Sequence, residues 1–580
     1  MIPGSPNNGI NDVLLNRLES LSSEQRAMLK QSVLASKLQG TSLLAETLYR
    51  CGTKRVLGIT GTPVDQIFSE CWARAIRPIG PRHQHTAVLM AAASNYISGR
   101  LESVVVVSAG PAVTNALTGV LFAYNNGWPV IVFGGRRPVH EDGIGYFQEL
   151  DAVPIFHSVT KWAAKVECTA DISKTVAHAF EVACSGRPGP VYVDLPEDVL
   201  NEFAVADGLA VPNIEPPLKA DEATVAACAR ELTNAEHPLL IVGEGIRWSF
   251  SETDLRHLVE RSGVPFITAP MARGFLPDDH PLCANPIRRW IQSRADVVLM
   301  CGSSFDWRFR FGGELAFDAR VIHVDIDAAT LGKNVPGALK VHADSGLFIS
   351  QLHEALAHRP VPATKAPRET WRREVNAACE EKRREYSGWL SKETTPMSPH
   401  QLFAALRGFL SAEAIVILDG SITLAFGQAL LSAERPCSWL DPGWNGCMGV
   451  GIPLGMGAKL AEPNRRVVVV SGDFGFGLTA MDLETAVRHR IPIIVVVMNN
   501  DGITGALRQK SQLPPEYGDL FSRFQSGLRY ERIMEVFGGH AEFVTEAAEI
   551  RPALERAAAS GVASCINVHV DPEAPHPGFW

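Results

Sequence analysis

The 580-residue chain is 46% hydrophobic and 20% charged, with a formal net charge of −9, a globular composition on a length that calls for about three or four domains. Its mild acidity gives no electrostatic reason to expect nucleic acid or an anionic membrane surface as a partner. Eleven cysteines stand singly, with no CxxC pair and no zinc-spaced Cys/His cluster, which suits unpaired thiols in a reducing cytoplasm.

In chain order, residues 1–37 read as an N-terminal helical extension. Its opening lacks the basic and then apolar run of a secretory leader, and "SSEQ", Ser22 to Gln25, is a capping-box signature inside the amphipathic segment 12–36. Residues 38–205 alternate helical stretches with the apolar runs "RVLGITG", "SVVVVSAG", "PVIVFGG" and "GPVYVDLP". Apolar strands without alternation are buried on both faces, so they predict a parallel sheet covered by helices. After the Pro-rich linker 210–222, a second block (218–356) carries "PLLIVGEG", "PFITAP", "ADVVLMCGSS" and "RVIHVDID". A second connector at 357–369 precedes a third block (396–580) with "AIVILDGS", "RVVVVSGDFG", "IPIIVVVMNNDG" and "SCINVHVDP". Three doubly wound α/β domains are expected. No internal repeat is visible, and the longest apolar runs, such as 491–498, have strand length and not bilayer length.

The third block holds the sharpest signal. Gly472-Asp473 ends one strand and Asn499-Asn500 ends the next, with Asn500 27 positions beyond Asp473 and a helix between. Parallel strands place both ends on one carboxyl edge, where such sheets bind ligands. Asp473, Asn500 and the Gly502 carbonyl offer hard oxygen donors of the kind Mg2+ takes alongside phosphate oxygens. Glycines 475, 477 and 502 let backbone N–H groups approach a diphosphate. A lone Gly-Asp after a strand is ordinary turn chemistry; the second strand end sets this one apart.

The arrangement resembles the thiamine diphosphate motif, and the resemblance runs from about residue 38 to the end. "GPAVTNALTG" and "RPGPVYVDLPEDV" resemble the pyrimidine-binding domain of acetolactate synthase-like enzymes. "GYFQELD" (145–151), "PFITAPMARGFLPDDHP" (265–281), "FDWRFRFG" (305–312), "GDFGFGLTAMDLET" and "RYERIMEVFGG" (529–539) resemble 2-hydroxyacyl-CoA lyases and oxalyl-CoA decarboxylases. The resemblance implies pyrimidine-binding, central nucleotide-binding-like and diphosphate-binding domains. It implies Mg2+ on Asp473, Asn500 and Gly502, and cofactor contacts from Ser421, Ile422, Gly446, Met448, Gly472, Phe474, Gly475 and Ile503. Met448 would be the apolar wedge under the cofactor, and Phe147 and Gln148 would face the reacting carbon. It further implies a homodimer or tetramer with the site between subunits, a small acyl substrate borne by CoA or supplied as a 2-oxo acid, and ADP or CoA in the central domain.

One position departs from the pattern. "RHQHTAVLMAAASNYISGR" aligns without a gap to the family's Arg-x-Glu-x-Ala-Ala helix start, placing Gln84 where the catalytic glutamate belongs. An amide can only donate a neutral hydrogen bond to the cofactor's N1′, and loss of a positioned acid/base group costs about 10²–10⁴ in rate. His83 and His85 are alternative proton carriers, although one residue along a helix turns a side chain by about 100°. Relatives of the glyoxylate carboligase type, with an apolar residue here, imply that activity survives the change. Thr504, Thr60 and Thr62 also depart from the decarboxylase pattern and point to a different substrate. In the central block Asp325 and Asp344 are candidate nucleotide contacts, a strand-end aspartate being as often a cap, and Arg308 and Arg310 are either phosphate ligands or solvated surface arginines. The N-terminal helix is similar to those near module ends of nonribosomal peptide synthetases, which would make a carrier protein the bearer of the acyl group. The expected activity is a 2-hydroxyacyl-CoA lyase-type cleavage or joining of a carbon–carbon bond. The alternatives are an acyloin-forming carboligase or decarboxylase on 2-oxo acids or carrier-bound acyl groups, and an inactive cofactor-binding homologue.

Overall fold

The computed structural model describes residues 37–206, 209–357, 366–391, 393–503 and 522–575, with residues 21, 22, 25, 514, 516, 517 and 577. Three parallel sheets organise the chain. The first has six strands, in the order Arg77–Ile79, Arg55–Ile59, Ser103–Val107, Val130–Arg136, Pro190–Pro196, Trp162–Lys165. The central sheet has five, in the order Phe266–Thr268, Pro238–Val242, Val297–Cys301, Arg320–Asp325, Leu339–His342. The third has six: Trp439–Leu440, Ile415–Asp419, Val467–Gly472, Ile494–Asn499, Ser564–His569, His540–Val544. Central strands such as Ser103–Val107 and Ile494–Asn499 are buried along their whole length, as both-face burial demands.

Numbered in chain order within each domain, the first and third sheets share one strand order, 2-1-3-4-6-5. The same fold thus occurs twice in a chain whose sequence shows no repeat. In each copy the order reverses between the first and third strands. This reversal opens a crevice at their carboxyl ends, the usual ligand position in doubly wound sheets. The helices after the second strand of each copy, Gln84–Ser98 and Gly451–Ala461, pack on one another. The approach is close enough that a Cβ at Gly457 would lie 2.3 Å from the Met90 carbonyl oxygen.

Two connections refine the sequence reading. Ser22 and Gln25 exchange the reciprocal capping-box bonds, at 3.0 and 3.1 Å. The connector at 357–369 gives way at Ala366 to a 25-residue helix, Ala366–Leu390. Its buried Trp371, Val375 and Cys379 recur every four residues, and Trp371 stacks on Trp290 of the central domain at 5.6 Å. The charged residues around this narrow stripe mask its helical period. Among the described residues no helix is long and apolar enough to cross a membrane.

Candidate active site

In the third domain the crevice lies between Ile415–Asp419 and Val467–Gly472, and the start of a helix follows each strand: Ser421–Leu430 and Asp473–Thr479. Exposed Ser421 and half-buried Ile422 and Phe474 sit in the first turns, where N–H groups lack acceptors within the helix backbone. Gly420 and Gly472 both border Thr423 Oγ1, which would be 3.6 and 3.7 Å from Cβ atoms placed on them. The glycine pair therefore leaves open a shallow cradle for an anion.

Asp473 is 2% exposed. Its Oδ1 accepts from the Phe474 N–H at 2.8 Å and its Oδ2 from the Gly502 N–H at 2.9 Å. That second bond brings the far end of the motif onto the near end and sets buried Asn500 beside the carboxylate. Burial pushes Asp473 up to about 7, an effect the backbone donors only partly offset. A divalent cation would neutralise this buried carboxylate, and a carboxylate, a carboxamide and a carbonyl make an all-oxygen donor set of the Mg2+ type. The residues present fit such an ion and the diphosphate it would bridge. Among the described residues no group of three or more His, Cys, Asp or Glu offers an alternative centre.

Asp501 holds this loop in shape. It has a left-handed φ of 54°. Its Oδ2 accepts from Ser526 Oγ at 2.8 Å and lies 3.1 Å from His569 Nε2, and its carbonyl accepts from the Phe524 N–H at 2.8 Å. Ile503, half-buried, donates its N–H to the Ser522 carbonyl at 2.8 Å. At Gly502, φ is 152° and a Cβ would lie 2.2 Å from the Ser522 oxygen, so a side chain is excluded there. Thr504 lies outside the described residues.

Asp419, fully buried at the end of its strand, ties the remaining segments together. It accepts from the N–H groups of Gly449 and Gly451 at 3.1 and 2.9 Å, and burial pushes it up to about 6. It thereby fixes the loop that presents exposed Gly446 and 40%-exposed Met448. Sequence reasoning used the neighbouring Ser421 and missed Asp419; a strand-end aspartate before Gly-Ser was the available signal.

The first domain brings the other group of residues together. His83 is the N-cap of Gln84–Ser98, its Nδ1 accepting from the His85 N–H at 3.1 Å. Gln84, half-buried in the first turn, accepts at Oε1 from Asn115 Nδ2 at 3.1 Å. Asn115 belongs to the "GPAVTN" helix Pro111–Asn126, whose preceding Gly110 abuts Gln148. Gln148 has a φ of 62°, and Phe147 beside it is 72% exposed. Their loop is closed by the exposed Glu149 carboxylate, which accepts from the N–H groups of Gly143, Gly145 and Tyr146 at 2.5, 2.9 and 3.0 Å. Those donors hold Glu149 below the usual carboxylate range. His85 is turned inward; burial pushes it down to about 4 and leaves its Nδ1 without a partner. Thr60 and Thr62 occupy an exposed turn after Arg55–Ile59.

The two groups lie on different domains, and buried Asp482 connects them. Its carboxylate accepts from the Arg82 N–H at 2.7 Å and from Thr86 Oγ1 at 2.6 Å, so the first turn of the Gln84 helix rests on the segment following Asp473. In the central domain Asp325 accepts from the Asp327 N–H and Asp344 caps the helix Ser345–Ala357 through the Leu347 N–H. Arg308, expected as a phosphate ligand, is instead engaged by carboxylates: Nη1 meets Glu244 at 2.7 Å and Nη2 meets Asp306 at 2.8 Å. Arg310 pairs with Glu314 at 2.8 Å.

Residues 38–155 match the thiamine pyrophosphate enzyme N-terminal TPP binding domain, 225–352 the central domain and 420–568 the C-terminal TPP binding domain. The chain is 30% identical over 561 residues to a 2-hydroxyacyl-CoA lyase from Oryza sativa subsp. japonica, covering 93% of this chain and 96% of that protein. It is 31% identical over 548 residues to an acetolactate synthase large subunit from Mycobacterium tuberculosis, covering 94% and 98%. An oxalyl-CoA decarboxylase from Escherichia coli is 30% identical over 547 residues, covering 92% and 95%. With all three domains present in order and likeness extending over nearly the whole of each relative, the chain belongs to the thiamine pyrophosphate enzymes and is a thiamine diphosphate-dependent enzyme.

Proposed function

We propose that this enzyme makes or breaks a carbon–carbon bond next to a carbonyl, with Mg2+ and thiamine diphosphate, in the manner of the 2-hydroxyacyl-CoA lyases it resembles. The observation that carries the reading is the hydrogen bond from the Gly502 N–H to Asp473 Oδ2, at 2.9 Å, which closes the metal loop. Asp473, Asn500 and the Gly502 carbonyl hold Mg2+. Ser421, Ile422, Gly472, Phe474 and Gly475 contact the diphosphate. The Gly446 carbonyl would accept from the aminopyrimidine, Met448 would be the apolar wedge beneath the cofactor and Ile503 would line its pocket. The domains 38–205, 218–356 and 396–580 are the working units, and two subunits complete each site.

Bound thiamine diphosphate supplies a nucleophilic carbon able to stabilise negative charge on an acyl fragment. The chain's own task is orientation and proton control. Gln84 would face the pyrimidine N1′ and, with Oε1 occupied by Asn115, would offer its amide N–H as a neutral donor that neither takes nor gives a proton. Phe147 and Gln148 would face the reacting carbon. Buried Asp473 and Asp419 fix the cation and the loop carrying Met448.

Circular dichroism or calorimetry with thiamine diphosphate and Mg2+ tests the reading: the wild type binds and Asp473→Ala does not. No binding by the wild type overturns it. Product analysis with 2-hydroxyacyl-CoA, oxalyl-CoA and pyruvate then separates lyase from decarboxylase and 2-oxo acid carboligase. Cofactor binding with turnover of none of these points to a carrier-bound substrate or an inactive homologue.

A further inference from the structure

The central sheet has its own crevice, between the carboxyl ends of Pro238–Val242 and Val297–Cys301, where its strand order reverses. A cavity of about 380 Å3 opens there, a size suited to a small ligand. Glu244, Ser303, Asp306, Asp325, Asp327 and Asp344 line it. Three cations also border it. Arg308 is buried between the carboxylates of Glu244 and Asp306, which engage it. Arg187 places two of its five N–H donors on backbone carbonyls, those of Tyr124 and Asn125, at 2.9 and 2.7 Å. Among the described residues only Lys333, on the exposed rim, adds a third positive charge beside the five acidic side chains.

Two atoms of this lining lack what they need. Ser303 is 6% exposed and its Oγ has no hydrogen-bond partner; Glu244 Oε2 is likewise buried and unpartnered. A buried carboxylate oxygen accepts and cannot donate, so the group that satisfies it must bring N–H or O–H. Nucleotide phosphates bring acceptor oxygens and negative charge, and here they would meet like charge in a half-enclosed cleft. Burial also pushes Asp325 up to about 7, against the pull of Arg187, and raises Asp344.

We propose that the central cleft takes a small organic cation, an ammonium or amidinium group donating to Glu244 Oε2 and Ser303 Oγ, and excludes phosphate-bearing nucleotides such as ADP and CoA. The acyl substrate then reaches this enzyme without a CoA handle seated in the central domain. This goes beyond the proposed reaction and does not depend on it, because the cleft is built without Asp473 or Gln84.

The test is calorimetric titration of the full chain, loaded with Mg2+ and thiamine diphosphate, with agmatine, ADP and CoA in turn. Agmatine is expected to bind at least tenfold more tightly than either nucleotide, and more weakly as salt is raised. Ser303→Ala, a small change that spares the Arg308 ion pairs, should weaken agmatine at least threefold, and Glu244→Gln at least tenfold. Tighter binding of ADP or CoA than of agmatine overturns the proposal, as does no agmatine binding or an unchanged affinity in Ser303→Ala. Failure of the thiamine reading would show instead as lost cofactor binding in the wild type, a separate titration.

Discussion

Replacing Asp501 by alanine should loosen the loop proposed to hold Mg2+ without touching a proposed metal ligand. The substitution removes the acceptor for Ser526 Oγ and the partner of His569. It also places alanine at a φ of 54°, which costs about 1–2 kcal/mol for a side chain that does not favour the left-handed region. Hydrogen bonds to a charged group contribute about 1.5–3 kcal/mol each. The loop keeps its backbone bonds from Phe524 to Asp501 and from Ile503 to Ser522, so only part of that loss reaches Asn500 and Gly502. Outer-shell substitutions of this kind cost about 10–100-fold in metal affinity, or about 1.4–2.7 kcal/mol. Mn2+ titration followed by electron paramagnetic resonance, with thiamine diphosphate present, measures it directly. Asp501→Asn keeps an acceptor and tolerates the left-handed backbone, so it should lose less than about tenfold. An Asp501→Ala affinity within twofold of wild type, alongside an Asp473→Ala that binds no metal, would refute the reasoning.

Three further outcomes follow from the same geometry. Gln84→Glu restores a titratable oxygen while leaving an acceptor for Asn115, and should accelerate C2 proton exchange of bound thiamine diphosphate in D2O by about 10²–10⁴; an unchanged rate by NMR counts against the assignment. Asp473, raised to about 7 by burial, holds its proton in the folded apoprotein at pH 6 and must lose it to ligate a cation. Metal binding should therefore release about one proton at pH 6 and progressively less as pH rises through 7. Calorimetry in buffers of different ionisation enthalpy reads this, and no release at pH 6 would contradict it. Thr86→Val removes a donor from buried Asp482 and should destabilise the fold by about 1–3 kcal/mol, seen as a lower thermal midpoint that Thr86→Ser largely restores.

What could be read from sequence, and what could not, follows from the range of each interaction. The Gly-Asp and Asn-Asn pairs were legible because 27 residues make one helical connection, broken by a turn at Ala480–Asp482 into two short helices, and one strand, so a local pattern fixes their shared edge. Buried strands such as Val467–Gly472 announced themselves through unbroken apolar runs. Asp482, four hundred positions from Arg82, carries no local mark of its role, and Asn115 beside Gln84 none beyond its helix. Arg308 looked like a phosphate ligand because Glu244, 64 residues away, could not be placed against it. The repeated strand order of the first and third domains was hidden because a doubly wound sheet needs only apolar strands and amphipathic helices, which many unrelated sequences supply.

The stretch from Asp473 to Asp482 is a single short piece of chain with a task at each end. One end supplies the carboxylate that accepts from the Gly502 N–H and is proposed to hold Mg2+, and the other supplies the carboxylate on which the first turn of the Gln84 helix rests. A ligand that shifts Asp473 therefore acts on the footing of that helix, and thermodynamic linkage makes the effect reciprocal. If Asp473 and Gln84 have the roles proposed for them, variants at Thr86 should be measured with the cofactor-binding set, because Thr86 braces the Gln84 helix on the segment that begins at Asp473.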